Sequence, residues 1–227
     1  MTLDLTATDI QAIMLSAKVG TVATLLALPL GFGAAWLLAF GRFRGKLMLE
    51  LLFNLPLTLP PVVVGYLLLL LLGNQGPLGR LLEPLGIRII FSWKAAVIAS
   101  IVVGFPLMVR SIRLAMEGID PYLLQAARSL GAGPLDMVVT VILPLSRSGI
   151  MAGSSLFFAR SLGEFGATII IAGNIPGITQ TLPLAIYDYA SSPAGESTAF
   201  ILCLVSVLLS MGILLLHELI LRQRKGA

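Results

Sequence analysis

The chain has 227 residues, 57% of them hydrophobic and only 11% charged, with a formal net charge of +4. Soluble domains carry roughly a quarter charged residues, so composition excludes an ordinary water-soluble globule and makes lipid the solvent for most of the chain. The basic balance does not indicate nucleic acid, because no stripe of Lys and Arg interleaved with aromatics occurs.

In chain order, the N-terminal stretch carries Asp4 and Asp9 and lacks the basic n-region of a secretory signal. The apolar run that follows is too long for a signal h-region, so it is expected to be retained. Five segments can cross about 30 Å of hydrocarbon at about 1.5 Å per residue: Val19–Phe40, Leu47–Leu72, Ala95–Leu114, Ser148–Ala172 and Ala199–Leu221. In lipid the backbone must satisfy its own hydrogen bonds, which makes these helices, and no dyad alternation suggests a barrel. Pro29 and Pro106 are expected to interrupt the first and third spans, and Pro56, Pro60 and Pro61 crowd the second. The connection Gly73–Lys94 has helix-like character around Leu78–Leu85. There is no tandem repeat and no linker, so residues 1–227 read as one all-α polytopic membrane domain.

Arg42, Arg44 and Lys46 follow the first span; Arg110, Arg113, Arg128 and Arg147 follow the third; Arg222, Arg224 and Lys225 end the chain. The other side holds Lys18, Arg80, Arg88 and Lys94. Positive charge collects on the cytoplasmic side, so the N-terminus is expected outside and the C-terminus in the cytoplasm.

The polar interval 117–144 contains Gln125-Ala126-Ala127-Arg128-Ser129-Leu130-Gly131 and then Val141-Ile142-Leu143-Pro144. Asp120 and Pro121 suit the N-cap and first position of a short helix, and Gly131 its C′ position. Pro134 can open a second helix with Asp136 in its first turn, and Pro144 is placed where the fourth span begins. An ordinary cytoplasmic helical hairpin would use the same devices. The residues themselves, however, closely resemble the EAA loop of binding-protein-dependent ABC importer permeases, E-A-A-x-x-x-G followed by I-x-L-P. Ala126, Ala127, Gly131, Leu143 and Pro144 match; Gln125 stands for Glu and Val141 for Ile. The resemblance implies that this loop couples the chain to a separate ATPase.

The fourth span carries Phe158-Ala159-Arg160-Ser161-Leu162-Gly163-Glu164-Phe165-Gly166-Ala167. A charge within a span costs about 2.5–3.5 kcal/mol on insertion scales. Read as one helix, the span puts Arg160, Glu164 and Thr168 on a face with Gly149 and Gly153. Two readings follow: a structural ion pair beside a close helix contact, or a path-lining face on which Arg160 offers a positive field to an anion. Asn54 and Ser161 are further candidates for that path, and either can equally serve as a helix–helix hydrogen bond. The segment Ile175–Glu196, expected outside, is a candidate for the contact with a binding protein that the resemblance implies, with Tyr187, Asp188, Tyr189 and Glu196 as its contact residues.

The A-R-S-L-G-E-F-G-A run, Leu55-Pro56-Leu57-Thr58-Leu59-Pro60-Pro61-Val62-Val63-Val64-Gly65-Tyr66 and Phe105-Pro106-Leu107-Met108-Val109-Arg110 together look like the permease branch that serves tetrahedral oxyanions. With five spans the chain is more similar to molybdate permeases than to the longer sulfate ones. The resemblance implies the type I importer permease fold in a cell inner membrane. It implies a pair of these chains around a central path, two cytoplasmic ATPase subunits that hold the ATP and Mg, and an external oxyanion-binding protein. No cofactor, metal or catalytic residue is then expected on this chain. Sulfate, thiosulfate or tungstate are alternative cargoes. An ion-coupled carrier is a different class, opposed by the absence of two related halves and by Glu164 being the one acidic residue near a midplane. An intramembrane enzyme is opposed by the lack of a nucleophile–base pair: His217 is the lone histidine, expected at the cytoplasmic edge of a different span from Ser154 and Ser155. Cys203 is the lone cysteine, so neither a disulfide framework nor a thiol metal site is expected. Gly41-Arg42-Phe43-Arg44-Gly45-Lys46-Leu47 has the wrong spacing for a phosphate loop.

Overall fold

The computed structural model describes residues 5–86, 88–193 and 195–225, and these are helical with no strand among them. In order they form α1 (Ala7–Phe40), α2 (Lys46–Thr58), α3 (Pro61–Leu72) and α4 (Pro77–Leu82), the last continued by a 3-10 turn over Glu83–Leu85. Then come α5 (Trp93–Glu117), α6 (Pro121–Ser129), α7 (Pro134–Met137), a π-helical stretch (Val138–Ile142) and α8 (Leu143–Leu145). The chain ends with α9 (Arg147–Leu162), α10 (Gly166–Ile171), α11 (Leu182–Ala190) and α12 (Glu196–Lys225). The side chain of His217 lies outside the described residues, and Cys203 is exposed on α12.

Among the described residues three helices, α1, α5 and α12, are long and apolar enough to cross a membrane alone. The count reaches five if α2 with α3, and Pro134–Leu145 with α9, each make one bent span, turning by 116° and 68°. The expected kinks at Pro29 and Pro106 are not breaks, because α1 and α5 run helically through both. The second span breaks instead at Leu59-Pro60. A residue before proline is driven to extended backbone, and with Pro60 and Pro61 in succession both Leu59 (ψ 144°) and Pro60 (ψ 135°) adopt it. The fourth span is not the continuous helix expected over Ser148–Ala172: α9 stops at Leu162 and α10 begins at Gly166. The first span starts well before Val19, because Thr6 and Asp9 form a capping box in which Thr6 N donates to Asp9 Oδ2 at 2.8 Å and Asp9 N to Thr6 Oγ1 at 3.3 Å.

α5 is the most enclosed of the three long helices. Against it lies a run of small buried residues on α1, Ala23, Ala27, Gly31, Ala34 and Ala35, while Gly20 admits the Phe158 ring of α9. A Cβ on Gly31 would come within 2.9 Å of Met108 Sδ. On the other side α9 comes in through Gly149 and Gly153, where a Cβ would meet Ser111 O at 2.6 Å and Met108 O at 3.0 Å. Gly104 of α5 likewise admits the Phe157 ring, 2.8 Å from where a Cβ would stand. Lipid gives no hydrophobic drive between helices, so close backbone approach of this kind supplies the association.

This seam fixes the two ends of the molecule. Lys18 Nζ stands 4.1 Å over the Trp93 ring and Gly31 meets Met108, so α1 and α5 run in the same direction. Their starting end also holds the end of α10 and the start of α11, since Phe91 N donates to Ile171 O at 3.0 Å and Leu182 N to Ser16 Oγ at 2.7 Å. Residues 118–146 leave from the opposite end. A Gly149→Val substitution forces a methyl pair onto the Ser111 carbonyl. It is expected to cost about 1–3 kcal/mol, read as a lowered melting temperature of the detergent-solubilised protein.

Candidate coupling elbow and the charge pair at the broken span

The polar interval folds as two arms. In the first, Asp120 caps α6 by accepting from Tyr122 N at 2.9 Å, with Pro121 at the first helical position. It ends in a Schellman motif: Ala132 N donates to Ala127 O and Gly131 N to Arg128 O, both at 3.0 Å, with Gly131 at φ +87°. Gly131 therefore occupies the expected C′ position, and a left-handed backbone there favours glycine. The second arm is opened by Pro134, and Gly133 N donates to Asp136 Oδ2 at 3.2 Å.

That second arm is longer than expected. It continues through the π-helical turn into α8, where Leu143 N donates to Val138 O. Proline at 144 has no N–H for the Thr140 carbonyl, and its ring crowds that group; the wider π turn relieves both. Pro144 thus lies inside the arm. The bend into α9 falls at Ser146, fully buried, whose Oγ donates to Ile142 O at 2.6 Å. Gln125, Ala126, Gly131, Leu143 and Pro144 are exposed, and Ala127 is half-buried. Sequence reasoning missed the apolar side chains beside them. Tyr122, Leu130, Leu135 and Val139 are all exposed, Leu130 at 89%. Their signal was a pair of short helices with too many large apolar residues for solvated arms. A further tie also escaped notice: Arg113 of α5 pairs with Glu50 of α2 and with Glu117, each at 2.7 Å.

At the other break, Arg160 Nη1 lies 2.8 Å from Glu164 Oε2. The two do not share a continuous helix face, since Glu164 and Thr168 lie beyond the end of α9. Glu164, with its side chain 2% exposed, uses its other oxygen to accept from Ala167 N at 2.8 Å. It therefore caps α10 while neutralising Arg160, which keeps 31% of its side-chain surface. Thr168 is buried in α10, and Ser161 is buried with its Oγ lacking a hydrogen-bond partner among the described residues. Asn54 belongs to another helix: its Nδ2 donates to Glu50 O at 2.7 Å, while its Oδ1 is buried and unpartnered. Gly149 and Gly153 face α5, as close packing requires.

The two breaks are pressed together. A Cβ on Gly65 of α3 would lie 2.8 Å from Ala167 Cα, and one on Gly166 would lie 2.9 Å from Pro61 Cβ. Glycine at these positions lets the starts of α3 and α10 meet backbone to backbone. Among the described residues no group of His, Cys, Asp and Glu could hold a metal ion.

The chain is an all-helical membrane protein with an elbow between its third and fourth spans, and its residues 27–225 match the family described as binding-protein-dependent transport system inner membrane component. The chain belongs to that family and is a transport subunit, not an enzyme. It is 52% identical over 219 residues to the molybdenum transport system permease protein ModB of Escherichia coli (strain K12), covering 96% of each chain. To the protein of that name in Haemophilus influenzae it is 50% identical over 211 residues, 92% of each chain. To the putative molybdenum transport system permease protein YvgM of Bacillus subtilis it is 42% identical over 199 residues. Among solved structures, an inward-facing MetNI methionine ABC transporter matches at a TM-score of 0.79 and 17% identity, covering 98% of this chain and 99% of that one. A bacterial ABC transporter that imports alginate matches at 0.75 and 16%, over 96% of this chain and 80% of that one. The fold is that of the type I ABC importer permeases.

Glu164→Ala removes the α10 cap and leaves Arg160 uncompensated. It is expected to cost about 1–3 kcal/mol and to reduce the amount of intact protein recovered from membranes. Glu164→Gln, which keeps an acceptor for Ala167 N, is expected to restore most of that yield.

Proposed function

We propose that this chain is the membrane subunit of an ATP-driven molybdate importer. The reading is carried by 52% identity across 96% of both chains to a molybdenum transport permease, and it is supported by a capped, exposed elbow at the end of the bundle where such a subunit meets its motor. The ATPase, a separate subunit, holds the ATP and Mg. It docks on residues 117–144, where Gln125, Ala126, Ala127, Gly131, Leu143 and Pro144 shape the elbow. Tyr122, Leu130 and Leu135 supply apolar anchors. Glutamine at 125 makes that contact through an amide in place of a carboxylate. An external binding protein delivers the oxyanion at the opposite end. This sets the start of α1 outside and the end of α12 in the cytoplasm, in agreement with the distribution of Lys and Arg.

Two copies pair around the path. A partly exposed arginine within a span is expensive against lipid, so the surface bearing Arg160 faces the second copy and the aqueous path between them. On that path Arg160 attracts the dianion, and Glu164, Ser161, Thr168 and Asn54 shape its surroundings. ATP binds the closed ATPase dimer more tightly than the open one, and this difference shifts the permease pair between its two orientations of access.

The experiment is initial uptake of labelled molybdate, tungstate and sulfate at submicromolar ion, in cells with and without this chain. Loss of molybdate uptake with sulfate untouched is expected. Loss of sulfate uptake alone would move the chain to a sulfate importer, and no loss of any ion would overturn the oxyanion reading. Ala127→Arg and Gly131→Arg are expected to lower ATP-driven uptake at least tenfold; unchanged uptake would remove the elbow from coupling. Arg160→Met is expected to abolish uptake in a complex that still assembles with its ATPase, and near-normal uptake would take Arg160 off the path.

A further inference from the structure

The start of α1 has no part in the elbow or the path, yet it is built with care. At 34 residues the helix is about 51 Å long, roughly 20 Å more than a hydrocarbon core requires. The surplus does not stand free. Ala12 packs with Leu182, Ala185 and Leu202 in a small core of its own. Asp9 is 2% exposed, and a buried carboxylate is costly unless bonded. It accepts from Thr6 N at 2.8 Å and Thr6 Oγ1 at 2.7 Å.

We propose that this projecting start, through Asp9, Gln11 and Ser16, is a positioning element that holds residues 173–190 ready to receive the substrate-loaded binding protein; the inference rests on the importer reading above. Ser16 supplies the decisive contact. Leu182 is the first residue of α11, whose N–H has no partner within its own helix. The preceding Thr181 does not cap it, and its Oγ1 is buried unpartnered. Ser16 Oγ of α1 accepts that N–H instead, at 2.7 Å and buried. The start of α11 is thus defined by a side chain of α1. Gln11 sets the approach of the preceding turn, with its Oε1 3.0 Å from where a Cβ on Gly177 (φ +75°) would stand.

The held segment is itself one unit. Ile175 O accepts from Thr179 N and Gln180 N, and Ile175 N donates to Thr179 Oγ1. Asp188 accepts from Asn174 Nδ2 and Gln180 Nε2, each at 2.7 Å. Its outer surface presents Tyr187, Ile178 and an Asp188 carboxylate whose oxygens are already oriented. Such preorganisation suits a folded partner that offers a basic side chain beside apolar area. Burial, with the Asp9 carboxylate adding to it, pushes the Tyr189 phenol above its ordinary range, so it remains a donor.

The test is ATP hydrolysis by the complete transporter in vesicles, titrated with molybdate-loaded binding protein. Ser16→Ala is expected to raise the half-saturating binding-protein concentration at least threefold with maximal hydrolysis within twofold of the parent. Ser16→Thr, which keeps the acceptor, is expected to return it. Gly177→Ala, pushed off Gln11 and strained at positive φ, is expected to behave as Ser16→Ala does and covers the case in which that variant fails to assemble. A fall in maximal hydrolysis without a change in half-saturation would overturn the proposal. If Asp188→Lys and Tyr187→Ala raise half-saturation while Ser16→Ala and Gly177→Ala do not, the positioning role is overturned and the docking surface stands. If Asp188→Lys and Tyr187→Ala change nothing, the segment is not the docking surface. No response of the parent transporter to binding protein would overturn the importer reading itself.

Discussion

Close approach of helix backbones at glycine and alanine is the constraint on which the rest of this molecule depends. In lipid, burying a leucine against another leucine gains little over burying it against an acyl chain. What remains is contact quality, and α5 obtains it on two sides. Five small residues of α1 lie along one side, and Gly149 and Gly153 of α9 come so near on the other that a methyl group would strike the α5 backbone. Because α1 and α5 run in the same direction and α9 returns against them, this three-helix seam sets where every other element leaves the bundle. The elbow hangs from α5 and α9 at one end, and the end of α10 and the start of α11 gather at the other.

Both breaks in the spans are intelligible against that seam. A helix interrupted in lipid exposes carbonyls and N–H groups that nothing outside can satisfy. Here each break is provided for by its neighbours: Glu164 caps α10, while Gly65 and Gly166 let the starts of α3 and α10 touch. The ion pair between Arg160 and Glu164 is then more than mutual neutralisation. One oxygen of Glu164 is committed to the backbone, which holds the carboxylate still, and Arg160 retains part of its surface. A structural anchor and an accessible cation coexist in one pair, so the structural reading and the path-lining reading of this motif do not compete.

Much of this was legible in the sequence, and the failures have physical causes. Apolar runs long enough for the bilayer are hard to misread, and the elbow's Asp120-Pro121 start and Gly131 stop follow from backbone chemistry alone. The break in the second span was readable from its prolines, whereas the interruptions expected at Pro29 and Pro106 are absent, because a proline in a span is ambiguous. A lone Pro29 or Pro106 frees a single carbonyl in a helix otherwise held by its neighbours, whereas Pro60 beside Pro61 forces two residues out of helical backbone. Glu164 was read by its i+4 relation to Arg160, which is real. Its i+3 relation to Ala167 N, which marks a new helix, goes unseen unless the helix is known to have stopped. The early start of α1 was written in Thr6-x-x-Asp9 but lay outside the apolar run that drew attention. Ser16 as a cap for Leu182 spans 166 positions, and no local pattern announces it.

The elbow shows why a rigid connection here matters more than any single contact on it. A short helix in water is marginal, and two of them joined by a glycine would flex if left uncapped. Each end is instead closed by a named bond: Asp120 on Tyr122, the paired Schellman bonds at Gly131 and Ala132, Asp136 on Gly133, and Ser146 on Ile142. The π turn upstream of Pro144 keeps the second arm continuous where a proline would otherwise cut it. Under the proposed function, displacement applied at the exposed apolar tips passes through the arm to Ser146 and into α9, the helix that carries Arg160 and abuts α5. That route turns once, at the bend of Ser146, and crosses the glycine seam before it reaches Arg160.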